Sequence, residues 1–239
     1  MARSSGQKSE CSDFEADFLP NKADFRRNTT GISKKYDKEL AENPSKDGRL
    51  GFLSRAPKLF IISAPSGTGK DTVIRRVLKQ RPETALSVSV TTRAKRAGEV
   101  DGSSYFFVSR ERFREMIELG AFLEYAEYIG EYYGTPTKPI HEHISNGRDC
   151  ILNIEVQGAK QVMALMPDAV TIFIAPPDME ELERRLRARG TDTEEKLLAR
   201  LARARLELEE RVFYKYTVIN DELKRATKEV LSIIERNDH

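Results

Sequence analysis

The sequence predicts an α/β fold, a parallel sheet with helices on both faces. From Lys58 onward, short apolar segments typical of buried strands alternate with amphipathic segments typical of helices. The first of these strands is followed by a glycine-rich loop and then by a helical pattern, which is the order of elements in a phosphate-binding loop. In sheets of this kind, ligands bind beyond the carboxyl ends of the strands, which is where the glycine-rich loop falls.

The individual elements follow from composition and spacing. Buried strands are expected where short runs are apolar and rich in β-branched residues, at Leu59–Ser63, Asp149–Val156, Val170–Ala175 and Lys215–Ile219. Helices are expected where apolar residues recur at helical spacing, from Thr72 onward and at Gln157–Met166, Asp178–Arg189, Thr193–Val212 and Glu222–Arg236.

The glycine-rich loop Ala64–Gly69 reads APSGTG and is followed by Lys70. Backbone N–H groups of such a loop and of the helix after it surround anionic oxygens, and the lysine reaches the β- and γ-phosphates of a nucleotide. The usual pattern starts with Gly and has Ser or Thr after the lysine, whereas this chain has Ala64 and Asp71 at those positions. An ordinary turn with a surface lysine is the alternative, but the flanking strand and helix favour a fold of the P-loop NTP-hydrolase type.

Composition and charge exclude several classes of protein. The length of 239 residues suits one domain with a sizeable core, or one domain plus a tail. The net charge of +2 gives no global argument for nucleic-acid binding. No uninterrupted apolar run is long enough to span a membrane. Cys11 and Cys150 lack metal-type spacing, so both are expected to be free thiols in a reducing compartment. We therefore expect a cytoplasmic protein that binds neither nucleic acid nor membrane.

Residues 1–57 differ in composition from the rest of the chain. They are polar and charge-mixed, contain few aliphatic residues and hold turn-type clusters. They are predicted to be mostly disordered, with a short helix near Lys34–Ala41. The alternative is a docking segment that uses the apolar side chains of this region, Phe14, Phe18, Leu19 and Phe25.

A different pattern begins after Leu86. Short β-type runs, SVSVTTR and SYFFV, flank turn residues and precede a predicted helix at Glu111–Leu119, which indicates a small mixed α/β subdomain. Within it, Arg93 and Arg96 are followed by a predicted turn that contains glycines and then by Tyr105. Two guanidinium groups and a tyrosine hydroxyl suit a phosphate monoester. A solvated basic loop is the alternative interpretation.

Together these motifs resemble the guanylate kinase family, whose members transfer a phosphoryl group from ATP to GMP. The family's GMP loop has the form S-x-T-T-R-x-x-R-x-G-E-x-x-G-x-x-Y, and Ser89–Tyr105 matches it throughout. Further matches are FLEYAEY around Glu124, YYGT at Tyr132–Thr135, IEVQGA at Ile154–Ala159, RRLRARGTDTEE at Arg184–Glu195 and VIND at Val218–Asp221. The resemblance extends from Lys58 to about Arg236.

The resemblance implies a domain organisation for residues 58–239. A doubly wound core would comprise residues 58–85 and 148–239, and a GMP-binding insert would comprise residues 86–147. Within the core, a mobile helical lid would occupy residues from about 178 to 212. ATP with Mg²⁺ would be the phosphoryl donor, GMP and dGMP would be the acceptors, and a monomer or a homodimer is expected.

The resemblance also implies roles for the matching residues. The GMP phosphate would be held by Arg93, Arg96, Tyr105 and Tyr133. Guanine would be read by Ser89, Glu124, Thr135 and Glu155. ATP would lie against Ala64, Pro65, Ser66, Gly67, Thr68, Gly69, Lys70, Asp71, Thr72 and Asn220. The catalytic residues would be Lys70, Arg185, Arg189 and Arg200, and Asp71 is a candidate magnesium ligand.

The chemistry of guanine agrees with an acidic residue in its site. Guanine presents N1–H and a 2-amino group as donors, so a carboxylate such as Glu124 can accept from both. Adenine lacks the 2-amino group and has an acceptor at N1, so it would leave the carboxylate unpaired, which costs on the order of 1–3 kcal/mol or more. A surface salt bridge is the alternative role of Glu124.

The basic helical region Arg184–Arg211 allows two interpretations. Most of its arginines fit an exposed, salt-bridged helix pair. The family pattern singles out Arg185, Arg189 and Arg200 as groups that close on the phosphates. Phosphoryl transfer needs positioning and positive charge, and no general base is expected because the acceptor is already an anionic phosphate.

Two positions depart from the family pattern. Asp71 replaces the hydroxyl residue after the lysine, and Asn153 stands where a carboxylate is usual, two residues before Glu155. One hypothesis is that the carboxylate has moved from the strand end to the loop, so that the local charge is kept. The other is that Asp71 repels the triphosphate and weakens ATP binding.

Two alternative functions stay open at this point. Ribose 1,5-bisphosphate phosphokinases also resemble guanylate kinases and can carry Asp after the loop lysine, but they lack the full guanine-reading set. A binding module, like the guanylate-kinase-like domains of junctional scaffold proteins, would have a degraded nucleotide site. Here Lys70 and the loop glycines are intact.

Overall fold

A computed structural model describes residues 56–128, 130–188, 190 and 193–237. Almost all of the N-terminal extension lies outside these residues, and so do the disorder and the alternative docking segment predicted for it, as well as Cys11. The predicted catalytic residue Arg189 also lies outside them. The described chain divides into two compact units. We call Ser87–Asn146 the insert unit, and residues 56–86 with 147–237 the core unit.

The secondary structure alternates as the sequence predicts. In chain order the elements are β1 (Leu59–Ser63), α1 (Lys70–Gln80), β2 (Ala85–Ser87), β3 (Val90–Thr91), β4 (Phe106–Phe107), α2 (Arg110–Glu118), β5 (Phe122–Tyr128), β6 (Glu131–Pro136), α3 (Thr137–Ser145), β7 (Cys150–Asn153), α4 (Val156–Leu165), β8 (Val170–Ala175), α5 (Met179–Ala188), α6 (Glu194–Glu209), a 3₁₀ helix (Glu210–Phe213), β9 (Tyr216–Ile219) and α7 (Leu223–Arg236).

The core unit is built on a five-stranded sheet with the order β2-β7-β1-β8-β9. The pairings of β1 with β7 and β8, and of β8 with β9, are parallel. Every residue of the central strand β1 is buried, which is typical of a strand with layers packed on both faces. The predicted parallel α/β fold is therefore confirmed.

Apolar side chains at alternate positions of β1 are buried on the two opposite faces of the sheet. Phe60 and Ile62 of β1 pack in one cluster with residues of α1 and α7, such as Val73 and Ile234. Ile61 points to the opposite face of the strand and is equally buried. Helix α7 keeps its apolar residues on one face, as a helix that covers a sheet must.

Most predicted bounds lie within one or two residues of the observed ones, and two lie three residues away. Strand β7 ends at Asn153 rather than at Val156, because the Ile154 carbonyl accepts hydrogen bonds from two side chains, Ser63 Oγ and Lys70 Nζ, both at 2.9 Å. Helix α6 ends at Glu209, and the last residues of the predicted helix continue as a 3₁₀ turn.

The insert unit has a small mixed sheet with the order β4-β3-β6-β5, as predicted for this part of the chain. Strand β3 is parallel to β4 and antiparallel to β6, and β5 and β6 form an antiparallel pair in which Glu124 lies opposite Thr135. A Cβ at Gly134 would lie 2.8 Å from the Phe122 ring, so only glycine fits there. Phe113 of α2 stacks on the Phe122 ring with centroids 4.5 Å apart and closes this core.

Helices α5 and α6 pack against each other through a separate apolar cluster, Leu182, Leu186, Leu197, Leu201 and Ala204.

Cys150 of β7 is a buried free thiol. Among the described residues, no helix combines the length and the apolar character that a membrane crossing requires.

The packing of α7 on the sheet gives a direct test of the core. Ile234 is fully buried in the cluster with β1, and we expect Ile234→Ala to lower the free energy of unfolding by about 2–5 kcal/mol because it leaves a cavity. Lys228 lies on the exposed side of the same helix, so Lys228→Ala should change it by less than about 0.5 kcal/mol. Urea unfolding of both variants measures this, and equal losses would contradict the described packing.

Candidate active site

The glycine-rich loop after β1 has a backbone that only glycine adopts easily. Gly67 and Gly69 have φ values of +98° and +91°, in the left-handed region that other residues avoid. Between them, Thr68 turns back on Pro65, whose carbonyl accepts from the Thr68 side chain at 2.9 Å and from its N–H at 3.3 Å. Gly69 then starts α1, because its carbonyl accepts from the Thr72 and Val73 N–H groups at 3.0 and 3.1 Å.

Two side chains from other parts of the chain donate hydrogen bonds to the Thr68 carbonyl of the loop. Asn220 Nδ2 donates to this oxygen at 2.6 Å, and Arg185 Nη1 donates to it at 3.2 Å. Arg185 also donates through Nη2 to the Asn220 carbonyl at 2.8 Å and through Nε to Glu181 at 2.7 Å. A Cβ at Gly69 would lie 2.7 Å from Asn220 Nδ2, so the loop and its support fit closely.

Lys70 is turned inward at the end of the sheet. Its Nζ donates to the Ile154 carbonyl at 2.9 Å and lies 3.4 Å from Glu155 Oε1, and the residue is only 9% exposed. Glu155 Oε2 is buried and has no hydrogen-bond partner within the described chain. The loop therefore holds a nearly buried cation whose paired carboxylate is incompletely satisfied, and an anionic ligand can compete for that cation.

A second carboxylate near Lys70 was missed by sequence reasoning. Glu207 of α6 is 3% exposed and accepts from Arg203 Nε at 2.9 Å. Burial raises the pKa of the Glu207 carboxyl, Arg203 offsets this only in part, and the charge of Glu155 acts in the same direction as burial. The Arg203–Glu207 spacing of four residues is typical of a surface pair, so the sequence gives no signal of this burial.

The two departures from the usual loop pattern meet in the structure. Asn153 Nδ2, at the end of β7, donates to Asp71 Oδ1, in the first turn of α1, at 2.9 Å. Asp71 is exposed. The Asn153 Oδ1 atom is buried and finds no hydrogen-bond partner in the part of the chain that the structure describes.

Three residues predicted to read a base lie together in the insert unit. Thr135 Oγ1 donates to Glu124 Oε1 at 2.5 Å, and Ser89 Oγ lies 3.5 Å from Thr135 Oγ1. All three are buried, with exposed fractions of 8% for Ser89, 5% for Glu124 and 0% for Thr135. The burial of Glu124 disagrees with the alternative of a surface salt bridge.

The residues predicted to hold a phosphate form a second group in the insert unit. The Arg93 guanidinium lies 5.5 Å from the Tyr105 ring centroid and 5.7 Å from that of Phe107. Tyr105 meets the Tyr133 ring edge-on at 6.0 Å. Arg96 is exposed, and its backbone N–H donates to Glu99 Oε2 at 2.7 Å.

Glu99 organises this second group and was not among the predicted site residues. It accepts from both terminal nitrogens of Arg93, at 2.7 and 3.0 Å, and from the Arg96 backbone N–H at 2.7 Å. Burial acts to raise the pKa of Glu99, but the hydrogen bonds from Arg93 and Arg96 outweigh it and hold this pKa below its usual range. Glu99 is the acidic position of the GMP-loop pattern, and that was the available signal.

The remaining predicted residues are placed as follows. Ala64 and Pro65 are buried at the end of β1, Ser66 is half-buried, and Thr72 is exposed in the first turn of α1. Arg200 is half-buried on α6. The core unit thus pairs Lys70 with Glu155, Asp71 with Asn153, and Arg185 with Asn220. The insert unit holds two groups, one of Ser89, Glu124 and Thr135, and one of Arg93, Arg96, Tyr105 and Tyr133.

No group of three or more His, Cys, Asp and Glu side chains within the described ranges forms a metal centre by itself. A cation in the core unit would therefore need oxygens from a ligand such as a nucleotide phosphate in addition to those of the protein.

Comparison with known proteins agrees with this geometry. The sequence pattern that defines the guanylate kinase family matches residues 56–237. The chain is 50% identical over 184 residues to the guanylate kinase of Streptococcus thermophilus (strain CNRZ 1066), covering 77% of this chain and 88% of that protein. It is 47% identical over 170 residues to the guanylate kinase of Synechococcus sp. (strain CC9311), covering 71% of this chain and 90% of that protein.

A solved structure gives the same result. The crystal structure of guanylate kinase from Anaplasma phagocytophilum superimposes with a TM-score of 0.66 at 33% sequence identity. The superposition covers 78% of this chain and 88% of that one. The phosphate-binding loop, the buried Ser89–Thr135–Glu124 group and these matches lead to one conclusion: the chain belongs to the guanylate kinase family.

Proposed function

We propose that this protein is a guanylate kinase that transfers the γ-phosphoryl group of ATP to GMP, and also to dGMP, and yields ADP with GDP or dGDP. The observation that carries the proposal is the buried Glu124 carboxylate, which accepts from Thr135 Oγ1 at 2.5 Å and could also accept from the N1–H and 2-amino donors of guanine. We place the reaction in the purine nucleotide metabolism of the cytoplasm, with the protein acting as a monomer or a homodimer and without a nucleic-acid or membrane partner.

The core unit would bind ATP. The loop Ala64–Gly69 and the first turn of α1 offer backbone N–H groups to the phosphates, and Asn220 would contact adenine. Lys70 would leave the Ile154 carbonyl for the β- and γ-phosphates, since a phosphate oxygen is a stronger acceptor than a neutral carbonyl.

The insert unit would bind GMP. Glu124 would accept from N1–H and the 2-amino group of guanine, and Ser89 and Thr135 would complete the polar contacts to the base. Glu155 of the core unit carries the same expected role, as the resemblance implies. Because adenine cannot donate to Glu124 from N1, this arrangement favours guanine strongly.

The GMP phosphate would lie against Arg93, Arg96, Tyr105 and Tyr133. Glu99 holds Arg93 with two hydrogen bonds, so the guanidinium plane is oriented before any ligand binds. Such pre-organisation lowers the entropy cost of binding. Glu99 is therefore a positioning residue in this proposal.

The transfer itself would proceed without a general base. An oxygen of the GMP phosphate forms a bond to the γ-phosphorus, and the bond from that phosphorus to the oxygen shared with the β-phosphate breaks, so ADP leaves with the electron pair. Lys70, Arg185, Arg189 and Arg200 would place positive charge on the transferring oxygens, and closure of α5 and α6 would exclude water.

The magnesium ion that accompanies ATP would be held in the core unit. Asp71 and Asn153 present oxygen atoms, the ligand type that Mg²⁺ prefers, and the unpartnered Asn153 Oδ1 fits a polar ligand. The ion would neutralise charge that develops on the β- and γ-phosphates.

The acceptor specificity of the protein tests the proposal. With ATP and Mg²⁺, we expect ADP release with GMP and dGMP and none above background with AMP, UMP or ribose 1,5-bisphosphate, measured in a coupled assay. Activity only with the sugar bisphosphate would contradict the guanine site. Failure of every acceptor, with no ATP binding by calorimetry, would favour the scaffold-type binding module.

The role of Glu124 gives a second prediction. Glu124→Gln replaces one acceptor oxygen by a donor NH₂ group that faces the donors of guanine, so kcat/KM for GMP should fall by about 100-fold or more. The matched control is Glu127→Gln, since Glu127 is an exposed carboxylate on the same strand, and its kcat/KM should stay unchanged. ADP affinity, measured by calorimetry, should be equal in both variants. Equal kcat/KM values for the two variants would contradict the base-reading role.

A further inference from the structure

Asp71 and Asn153 are far apart in sequence but touch at the carboxyl edge of the parallel sheet. Asn153 ends β7 and lies in register with Ile62 of β1, the strand that leads into the glycine-rich loop. Asp71 follows Lys70 in the first turn of α1. The 2.9 Å hydrogen bond from Asn153 Nδ2 to Asp71 Oδ1 therefore joins the strand end to the phosphate-binding loop.

The two side chains have exchanged chemical types relative to the usual loop. In P-loop enzymes a hydroxyl after the lysine binds magnesium, and a carboxylate is supplied from a strand end. Here the loop position carries the carboxylate, and the strand end carries a neutral amide. Both arrangements contain a single carboxylate, so the local charge that faces the cation is the same.

The hydrogen bond also fixes what each side chain offers. A carboxylate only accepts, so the amide must present its NH₂ group to Asp71, and its carbonyl oxygen then points elsewhere. This Oδ1 is buried and has no hydrogen-bond partner in the described chain. A buried amide oxygen without a partner is costly, and turning it toward a hydrated cation would supply the missing interaction.

We propose that Asp71 and Asn153 together form the magnesium site of this chain: the Asp71 carboxylate is the ligand, and Asn153 holds it in place and offers its amide oxygen to the ion or to an ion-bound water. The proposal rests on the proposed function, because the ion arrives with the nucleotide. Asn153 is a positioning residue, since it acts on the cation mainly through Asp71. Under this proposal Asp71 attracts the metal–nucleotide complex, whereas the alternative hypothesis requires Asp71 to repel it.

The proposal predicts that Asn153→Asp restores the metal dependence of nucleotide binding that Asp71→Ser removes, and the repulsion hypothesis does not predict this. The quantity to measure is the ratio of ADP affinities with Mg²⁺ and with EDTA, by calorimetry. Asp71→Ser removes the carboxylate and should reduce this ratio by about 10- to 100-fold. The double variant Asp71→Ser/Asn153→Asp returns the hydroxyl and the carboxylate to their usual places and should restore most of the loss. Electron paramagnetic resonance of Mn²⁺ with ADP should show the same order of affinities.

Asp168→Ser is the matched control. Asp168 is an exposed aspartate in the turn before β8, at the opposite end of that strand from the loop, and its loss should leave the ratio unchanged. Unfolding midpoints of all variants show whether each is folded.

Three outcomes would overturn the proposal. One is an unchanged ratio in Asp71→Ser with a lowered unfolding midpoint, which would make Asp71 only a favourable charge at a helix start. The second is tighter nucleotide binding by Asp71→Ser, as repulsion requires. The third is a double variant no better than Asp71→Ser. None of these measurements uses an acceptor, so their results do not depend on whether the wild-type protein phosphorylates GMP. The acceptor assay tests the proposed function separately.

Discussion

The hydrogen bonds that converge on the Thr68 carbonyl are the constraint on which the nucleotide site depends. Asn220 at 2.6 Å and Arg185 at 3.2 Å hold this one oxygen, and the loop around it uses left-handed glycines on both sides. Asn220 follows β9, and Arg185 lies on α5, so the sheet edge and the helix pair both determine the loop shape. A loop fixed in this way keeps one backbone shape before any ligand binds, and electrostatic catalysis requires such pre-organisation.

The same edge of the sheet carries the cation that we propose for the nucleotide phosphates. Lys70 is nearly buried and interacts with a neutral carbonyl and with Glu155 at 3.4 Å. Burial also raises the pKa of the Glu207 carboxyl, and the hydrogen bond from Arg203 offsets this shift only in part. In the insert unit the balance is the opposite, because the Arg93 and Arg96 hydrogen bonds keep the pKa of Glu99 low and its charge fixes Arg93.

Uninterrupted local patterns could be predicted from the sequence, and contacts between distant segments could not. Strands β1 and β8 have the predicted bounds because each is a short apolar run with polar flanks. The Asp71–Asn153 contact joins residues 82 apart, so the sequence raised the question of their exchange without showing that they touch. Glu207 was missed because its helix spacing resembles that of a solvated ion pair, and only tertiary packing buries it.

Binding of ADP to Gly69→Ala, measured by calorimetry, tests the central claim about the loop most directly. The new Cβ would lie 2.7 Å from Asn220 Nδ2 at a φ of +91°, so the loop must distort, and we predict that ADP affinity falls by about 10-fold or more. Gly130→Ala is the control, because φ is also positive there but nothing lies within 4 Å of the added Cβ, and its ADP affinity should match the wild type. If Gly69→Ala binds ADP as tightly as Gly130→Ala, the shape of this loop does not determine nucleotide binding.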